Sequence, residues 1–343
     1  MTRRVPKWRL GRYLFKRWLV PGLLVLGLPT ASPLSFAADA QHPAMPRRIG
    51  VLLVAWAPSD KQPQQLIKGL RDAGYVEGRD VIIEWRFAAG DYGRVPALAA
   101  DLVAKQVDII LTDSTPAALA AKQSTSAIPI VMVTVGDPVG SGLVTNLAKP
   151  GGNITGLSMM MNELSAKRLQ LLKELLPGVR RVAVLWDPNV AWHKSAVQNL
   201  TTAAKSLSLQ TTPVRAGRRE EIDSAFATIR RARSEAVYVL DSAFFVVHRA
   251  QLFGLSAKWK LPLIYGQKEL VREGALISYS ANFEDIWRRS AVYVDKILKG
   301  AKPGDLPIEQ PSMFELAVNL RTAQLLGLKV PESILLRADE VIK

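Results

Sequence analysis

The sequence predicts an α/β protein of two Rossmann-like lobes with parallel sheets and a ligand cleft between them. Three observations carry that prediction. Short β-rich apolar runs alternate with amphipathic helical stretches from Arg47 onward. The segment Pro150-Gly151-Gly152-Asn153 punctuates that alternation and separates two series of it. The length of 343 residues suits two domains of about 150 residues each, and 48% hydrophobic residues suffice for their cores.

The elements follow in order. Residues 1–40 read as a cleavable secretory signal peptide: a basic stretch to Arg17, an apolar run over residues 19–28, then small, turn-prone residues. Ala38-Asp39-Ala40 fits the cleavage pattern and Ser35-Phe36-Ala37 offers a second cut, so the mature chain starts after Ala37, Ala38 or Ala40. An apolar run this short does not span a ~30 Å hydrocarbon core. Arg3-Arg4 is a twin-arginine pair, but Val5-Pro6-Lys7 does not continue it, which favours general secretion.

Residues 48–55 form the first buried strand, and Ser59 with Gln62 suggests a capping box for a helix that ends at Gly74. Strands follow at 81–87, 107–112 and 128–135, with helices from 95 to 105 and from Pro116 onward. Asp113-Ser114-Thr115-Pro116 opens the latter with cap-type side chains before a proline. The second series has strands at 154–158, 181–186, 209–214, 236–240, 261–265 and 275–280. Its helices cover 163–176, 195–207, 220–233, 248–258 and 283–298. The predicted lobes are residues 41–157 plus 283–312 and residues 158–282 plus 313–343, with hinges near 156–158, 280–283 and 310–314.

Charge gives little direct guidance to function. With 45 basic and 30 acidic residues the net charge is +15, yet Arg3, Arg4, Lys7, Arg9, Arg12, Lys16 and Arg17 face only Asp39 in the leader. No long like-charge run occurs downstream, so nucleic acid is not an expected partner. The absence of cysteine removes disulfides, thiolate metal sites, a cysteine nucleophile and a lipidated N-terminal cysteine.

Ligands of such sheets sit beyond the carboxyl ends of the strands. That rule selects Trp56, Ser114, Thr115 and Asp137 in the first series, and Trp186, Asp187, Asp241, Phe244, Tyr265 and Tyr279 in the second. Ser114 and Thr115 open a helix whose free amides suit an anion. Asp137, Asp187 and Asp241 suit a cation, and the aromatics suit a flat or apolar body or an ammonium. Each of these residues also has an ordinary reading as a helix cap or an end plug.

Catalytic signatures are missing. Gly140-Ser141-Gly142 follows a strand, but Thr145 stands where a dinucleotide fingerprint needs its third glycine. No P-loop, G-x-S-x-G elbow or H-E-x-x-H occurs, and no carboxylate cluster has metal-ligand spacing. His42 lies in the linker, while His193 and His248 sit near helix starts, where surface histidines are expected. The expectation is a binding protein with no cofactor, no metal and no catalytic residue.

Several long stretches carry a family resemblance. Residues 69–78 (GLRDAGYVEG), 115–121 (TPAALAA), 136–156 (GDPVGSGLVTNLAKPGGNITG) and 166–175 (AKRLQLLKEL) resemble the ABC transporter substrate-binding protein family related to tryptophan- and tyrosine-binding transport proteins. So do residues 290–303 (SAVYVDKILKGAKP) and 305–342. The resemblance implies a type 1 periplasmic-binding fold that closes on a small solute and delivers it to a membrane permease with its ATPase. It implies a Gram-negative-type periplasm, and the mature chain is expected to be a monomer. Thr112-Asp113-Ser114 departs from the family, since many relatives carry small residues before the Thr-Pro, and it adds a carboxylate facing the cleft. The rival reading from another class is a ligand-sensing module that reports occupancy to a receptor.

Overall fold

The computed structural model describes residues 45–343. The leader assigned to residues 1–40, and His42, lie outside the described residues. The first series forms β1 (Arg47–Leu53), α1 (Lys61–Asp72), β2 (Val81–Phe87), α2 (Val95–Ala104), β3 (Ile109–Thr112), α3 (Thr115–Ser124), β4 (Ile130–Val135) and β5 (Ile154–Ser158). The five strands make one parallel sheet in the order β2-β1-β3-β4-β5.

The second series forms α4 (Met161–Leu175), β6 (Arg181–Trp186), α5 (His193–Ser206), β7 (Gln210–Arg215), α6 (Glu221–Arg231) and β8 (Ala236–Val239). It continues through α7 (Ala243–Val247), α8 (Arg249–Trp259), β9 (Leu263–Tyr265), α9 (Lys268–Glu273), β10 (Ile277–Ala281) and α10 (Phe283–Leu298). The chain ends in β11 (Phe314–Asn319), α11 (Leu320–Leu325), α12 (Glu332–Leu335) and β12 (Glu340–Ile342). The second sheet runs β12-β11-β10-β9-β8-β6-β7. It is parallel from β7 to β10, but β11 joins β10 antiparallel and carries β12 with it, so this sheet is not wholly parallel.

Burial on both faces explains the unbroken apolar strands. In β1, Val51 and Leu53 enter one core cluster while Leu52 joins another on the opposite face. Helix α1 covers the first face with Leu66 and Leu70, and α2 covers the other with Ala99 and Leu102. The capping box expected at Ser59 and Gln62 does not form. Asp60 precedes α1 without a side-chain cap bond to it, and its carboxylate instead accepts from the Ala57 N–H at 2.8 Å.

The chain passes between the two sheets three times. It leaves β5 for α4, which packs on α5 and β10; it returns from β10 into α10, which packs on α1, β4 and β5. The stretch after α10 lies along β5, where Glu309 N–H donates to Gly156 O and Ser158 N–H donates to Glu309 O, before the chain enters β11. Among the described residues no helix is long and apolar enough to cross a membrane.

Candidate functional site

Strand order fixes where a ligand site belongs. In the first sheet β1 and β3 lie side by side, and their crossovers leave in opposite directions, opening a crevice at their carboxyl ends. The second sheet repeats the arrangement at β6 and β8. One cleft collects the residues that follow these strands. Ala55 and Trp56 come after β1, Asp113 to Pro116 after β3, Val190 and Trp192 after β6, and Asp241 to Ala243 after β8. Thr134, Met161, Val246, Gln267 and Phe283 complete the lining. The space inside it open to a water-sized molecule is about 40 Å³, well below the ~300–1,000 Å³ of small-molecule sites, so the cleft is narrow in this conformation.

The polar wall on the first sheet is built around α3. Ser114 is its N-cap in extended conformation, with Oγ accepting from the Ala117 N–H at 3.4 Å, and Ser114 O accepts from the Ala118 N–H at 3.0 Å. Pro116 has no N–H, so the Thr115 amide is the first-turn donor with no partner inside the helix. Just before it, Asp113 is 4% exposed and its Oδ2 accepts from the Val54 and Ala55 N–H groups at 2.8 and 3.0 Å. Burial pushes this carboxyl up to about 6 against the pull of those amides.

The facing wall rests on a buried ion pair. Arg168 of α4 donates through Nη1 to Asp241 Oδ2 at 2.8 Å and through Nε to Tyr279 O at 2.6 Å. Asp241 Oδ1 also accepts from the Gly266 N–H at 3.1 Å. Burial favours the neutral form of both groups and raises Asp241 above its usual value, while the adjacent carboxylate holds Arg168 above its own. His193 ties the same wall together. Its Nδ1 accepts from the Asp187 N–H and its Nε2–H donates to Asp241 O, both at 3.0 Å. The imidazole is fully buried and pushed down to about 3 by that burial, which overturns the expectation of a surface histidine.

With this geometry in place, the similarity to known proteins is direct. Residues 48–342 match the family described as ABC transporter substrate binding protein. The chain belongs to that family. A tyrosine-binding protein of Clostridioides difficile (strain R20291) is 28% identical over 284 residues, covering 82% of this chain and 81% of the relative. A structure from Streptococcus pneumonia, an ABC domain in complex with L-Trp, is 28% identical with a TM-score of 0.80, covering 87% of this chain and 100% of that one. A conserved domain protein from Vibrio cholerae O1 biovar El Tor gives the same identity and TM-score, over 86% of this chain and 99% of that one. Solved periplasmic and solute binding proteins at 10% and 15% identity share the type 1 periplasmic-binding fold.

Within this substrate-binding protein the expected site residues separate into two groups. Trp56, Ser114, Thr115 and Asp241 line the cleft. Asp241 is not a free acceptor for a ligand cation, because Arg168 already occupies it. The other six do not line the cleft. Asp137 caps its own turn, its Oδ1 accepting from the Gly140 N–H at 2.7 Å. Trp186 packs half-buried at the core edge. Asp187 accepts from the Tyr92 hydroxyl at 2.9 Å and from Asn189. Phe244 sits edge-on to His248 with ring centroids 4.6 Å apart, beside Tyr92 at the cleft rim. Tyr265 is fully buried, with its hydroxyl unpaired and pushed well above 10 by burial. Tyr279 pairs with Leu316 across β10 and β11, its ring 5.9 Å from Phe314.

Sequence reasoning missed Trp192, Arg168 and Gln267. Trp192 lies six residues beyond the end of β6, outside the first strand-end positions. Arg168 had a readable signal: it falls four residues from both Leu164 and Leu172, on the apolar face of α4. A cation on such a face needs a buried partner.

Proposed function

We propose that this protein is the extracytoplasmic solute-binding component of an ABC importer, which captures an aromatic amino acid by lobe closure and hands it to a membrane permease. The observation that carries this is the pair of indoles, Trp56 from the first sheet and Trp192 from the second, lining one cleft beside the α3 N-terminus. The Thr115 amide and hydroxyl suit a carboxylate, and the indoles suit a flat side chain. The tyrosine-binding relative and the L-Trp complex support the same solute class. The two lobes are residues 41–157 plus 283–312 and residues 158–282 plus 313–343, and they close about the three crossings. The mature chain works as a monomer in the periplasm after loss of residues 1–40.

Titration calorimetry of the mature chain with L-tryptophan and L-tyrosine tests this. One of them binds at a single site. Trp192→Ala weakens it roughly 30-fold, the ~2 kcal/mol typical of a desolvated aromatic anchor. Absence of any heat or thermal shift with both amino acids sinks the proposal.

A further inference from the structure

Among the described residues, two buried acceptor oxygens in the cleft have no hydrogen-bond partner. Asp113 Oδ1 is one, while its sister oxygen is fully used by the Val54 and Ala55 amides. Gln267 Oε1 is the other; Gln267 is 5% exposed and stands between β9 and α9 on the opposite side of the cleft. Both side chains line the same cavity, one from each sheet. Among the described residues no lysine, arginine or histidine lines it, and the guanidinium behind it is already spent on Asp241. A buried carboxylate oxygen without a full hydrogen bond is costly; the Ser114 hydroxyl and the Trp56 backbone N–H lie near Asp113, and a ligand donor carrying a positive charge would satisfy it more strongly than either.

We infer that Asp113, assisted by Gln267, is the seat of the ligand's ammonium group. An ammonium brings three donors and a positive charge, which match two acceptor oxygens contributed to one cleft from the two sheets. The Asp137 and Asp241 sites expected from the sequence are unavailable for this role, since Asp137 lies outside the cleft and Asp241 holds Arg168. The assignment rests on the solute reading above but is narrower. It fixes which end of the solute meets which residue: carboxylate at Thr115, ammonium two residues earlier at Asp113. The cleft should therefore discriminate against solutes that keep the ring and the carboxylate but lack the amine.

Calorimetry on the mature wild type and on Asp113→Asn decides it, using L-tryptophan, L-tyrosine, tryptamine, tyramine, indole-3-propionate and 3-(4-hydroxyphenyl)propionate. Asparagine keeps an acceptor for the Val54 and Ala55 amides, and a melt of each protein checks folding. The wild type is expected to prefer an amino acid over its deaminated analogue by about tenfold or more. In Asp113→Asn that preference collapses, with the amino acid weakened and the deaminated acid unaffected. Equal wild-type affinity for an amino acid and its deaminated analogue overturns the assignment without any variant. So does an Asp113→Asn protein that binds the amino acid like wild type. If the wild type binds only the amines, and loses them in Asp113→Asn, the amino-acid reading fails while the Asp113 assignment stands. Binding of none of the six probes sinks both.

Discussion

At the scale of single residues, the cleft is held by buried ionisable groups whose effects on stability oppose one another. His193 titrates near 3 in the folded chain and near 6.5 when unfolded, so its contribution is complete above about pH 6.5 and drains away as pH falls toward 3. Asp113 has the reverse sign. Its folded value near 6 exceeds the unfolded 3.8, so the folded chain holds the extra proton between those values and stability falls as pH rises through 6. Above that pH the penalty is roughly 3 kcal/mol, an order-of-magnitude figure from the size of the shift. Asp113→Asn removes it. Melts of the unliganded variant are expected to rise above wild type at pH 8, to converge with it near pH 4, and to fall more steeply on the acid side. A gain of equal size at every pH would show that charge burial is not its source. A carboxylate that weakens the empty protein and meets the ligand is the trade expected of a binding residue.

At the scale of elements, helix packing overrules local propensity where α1 crosses α10. Gly69 lies within α1, where alanine would be favoured by about 1 kcal/mol on helix propensity alone. A Cβ at Gly69, however, would stand 2.3 Å from the Arg288 carbonyl oxygen and 2.8 Å from the Ala291 Cβ. The nearer obstacle is backbone, which cannot swing aside. Gly69→Ala is therefore expected to destabilise the protein by roughly 1–3 kcal/mol, the usual cost of overpacking, with ligand affinity intact once folded. A urea titration reads this, and a stabilised variant would refute it. Much of the element pattern was legible for the same reason the cores are well formed. Apolar strands buried on both faces, such as β1 and β4, and capped helices such as α3 announce themselves through period and punctuation. The short helices α7 and α9 were not legible, since one or two turns leave no period to detect. The C-terminal β11 was missed too, and with it the antiparallel edge. Four of ten expected site residues reach the cleft because the strand-end rule locates the switch points but not how far each loop travels. Trp186 ends its strand at the core edge, whereas Trp192, six residues on, arrives in the cleft.

At the scale of the whole molecule, the two sheets meet across the cleft through few contacts. Trp192 packs so closely on Gly136 that a Cβ there would lie 2.6 Å from the indole. At the rim, the Tyr92 hydroxyl donates to Asp187 Oδ2 at 2.9 Å and accepts from the Phe244 N–H at 3.3 Å. Tyr92 follows β2 of the first sheet, while Asp187 and Phe244 follow β6 and β8 of the second. One hydroxyl therefore bridges both strand ends of the opposite lobe. Burial, with Asp187 nearby, holds its proton on well beyond the usual phenol range, so loss of the phenol proton does not break the bridge near neutral pH. Tyr92→Phe deletes both bonds and keeps the ring. Asp187 retains its Asn189 donors, and opening the cleft returns the Phe244 amide to water. The loss falls almost wholly on the closed form and amounts to about 2 kcal/mol, mostly from the bond to a carboxylate. Since apparent affinity scales with the closed population, ligand binding is expected to weaken by roughly ten- to thirtyfold. Small-angle scattering at a ligand concentration that half-saturates wild type should give a larger radius of gyration for the variant, and equal radii once both are saturated. Unchanged affinity, or identical scattering at half-saturation, would mean that closure is held by the indole packing and the ligand alone.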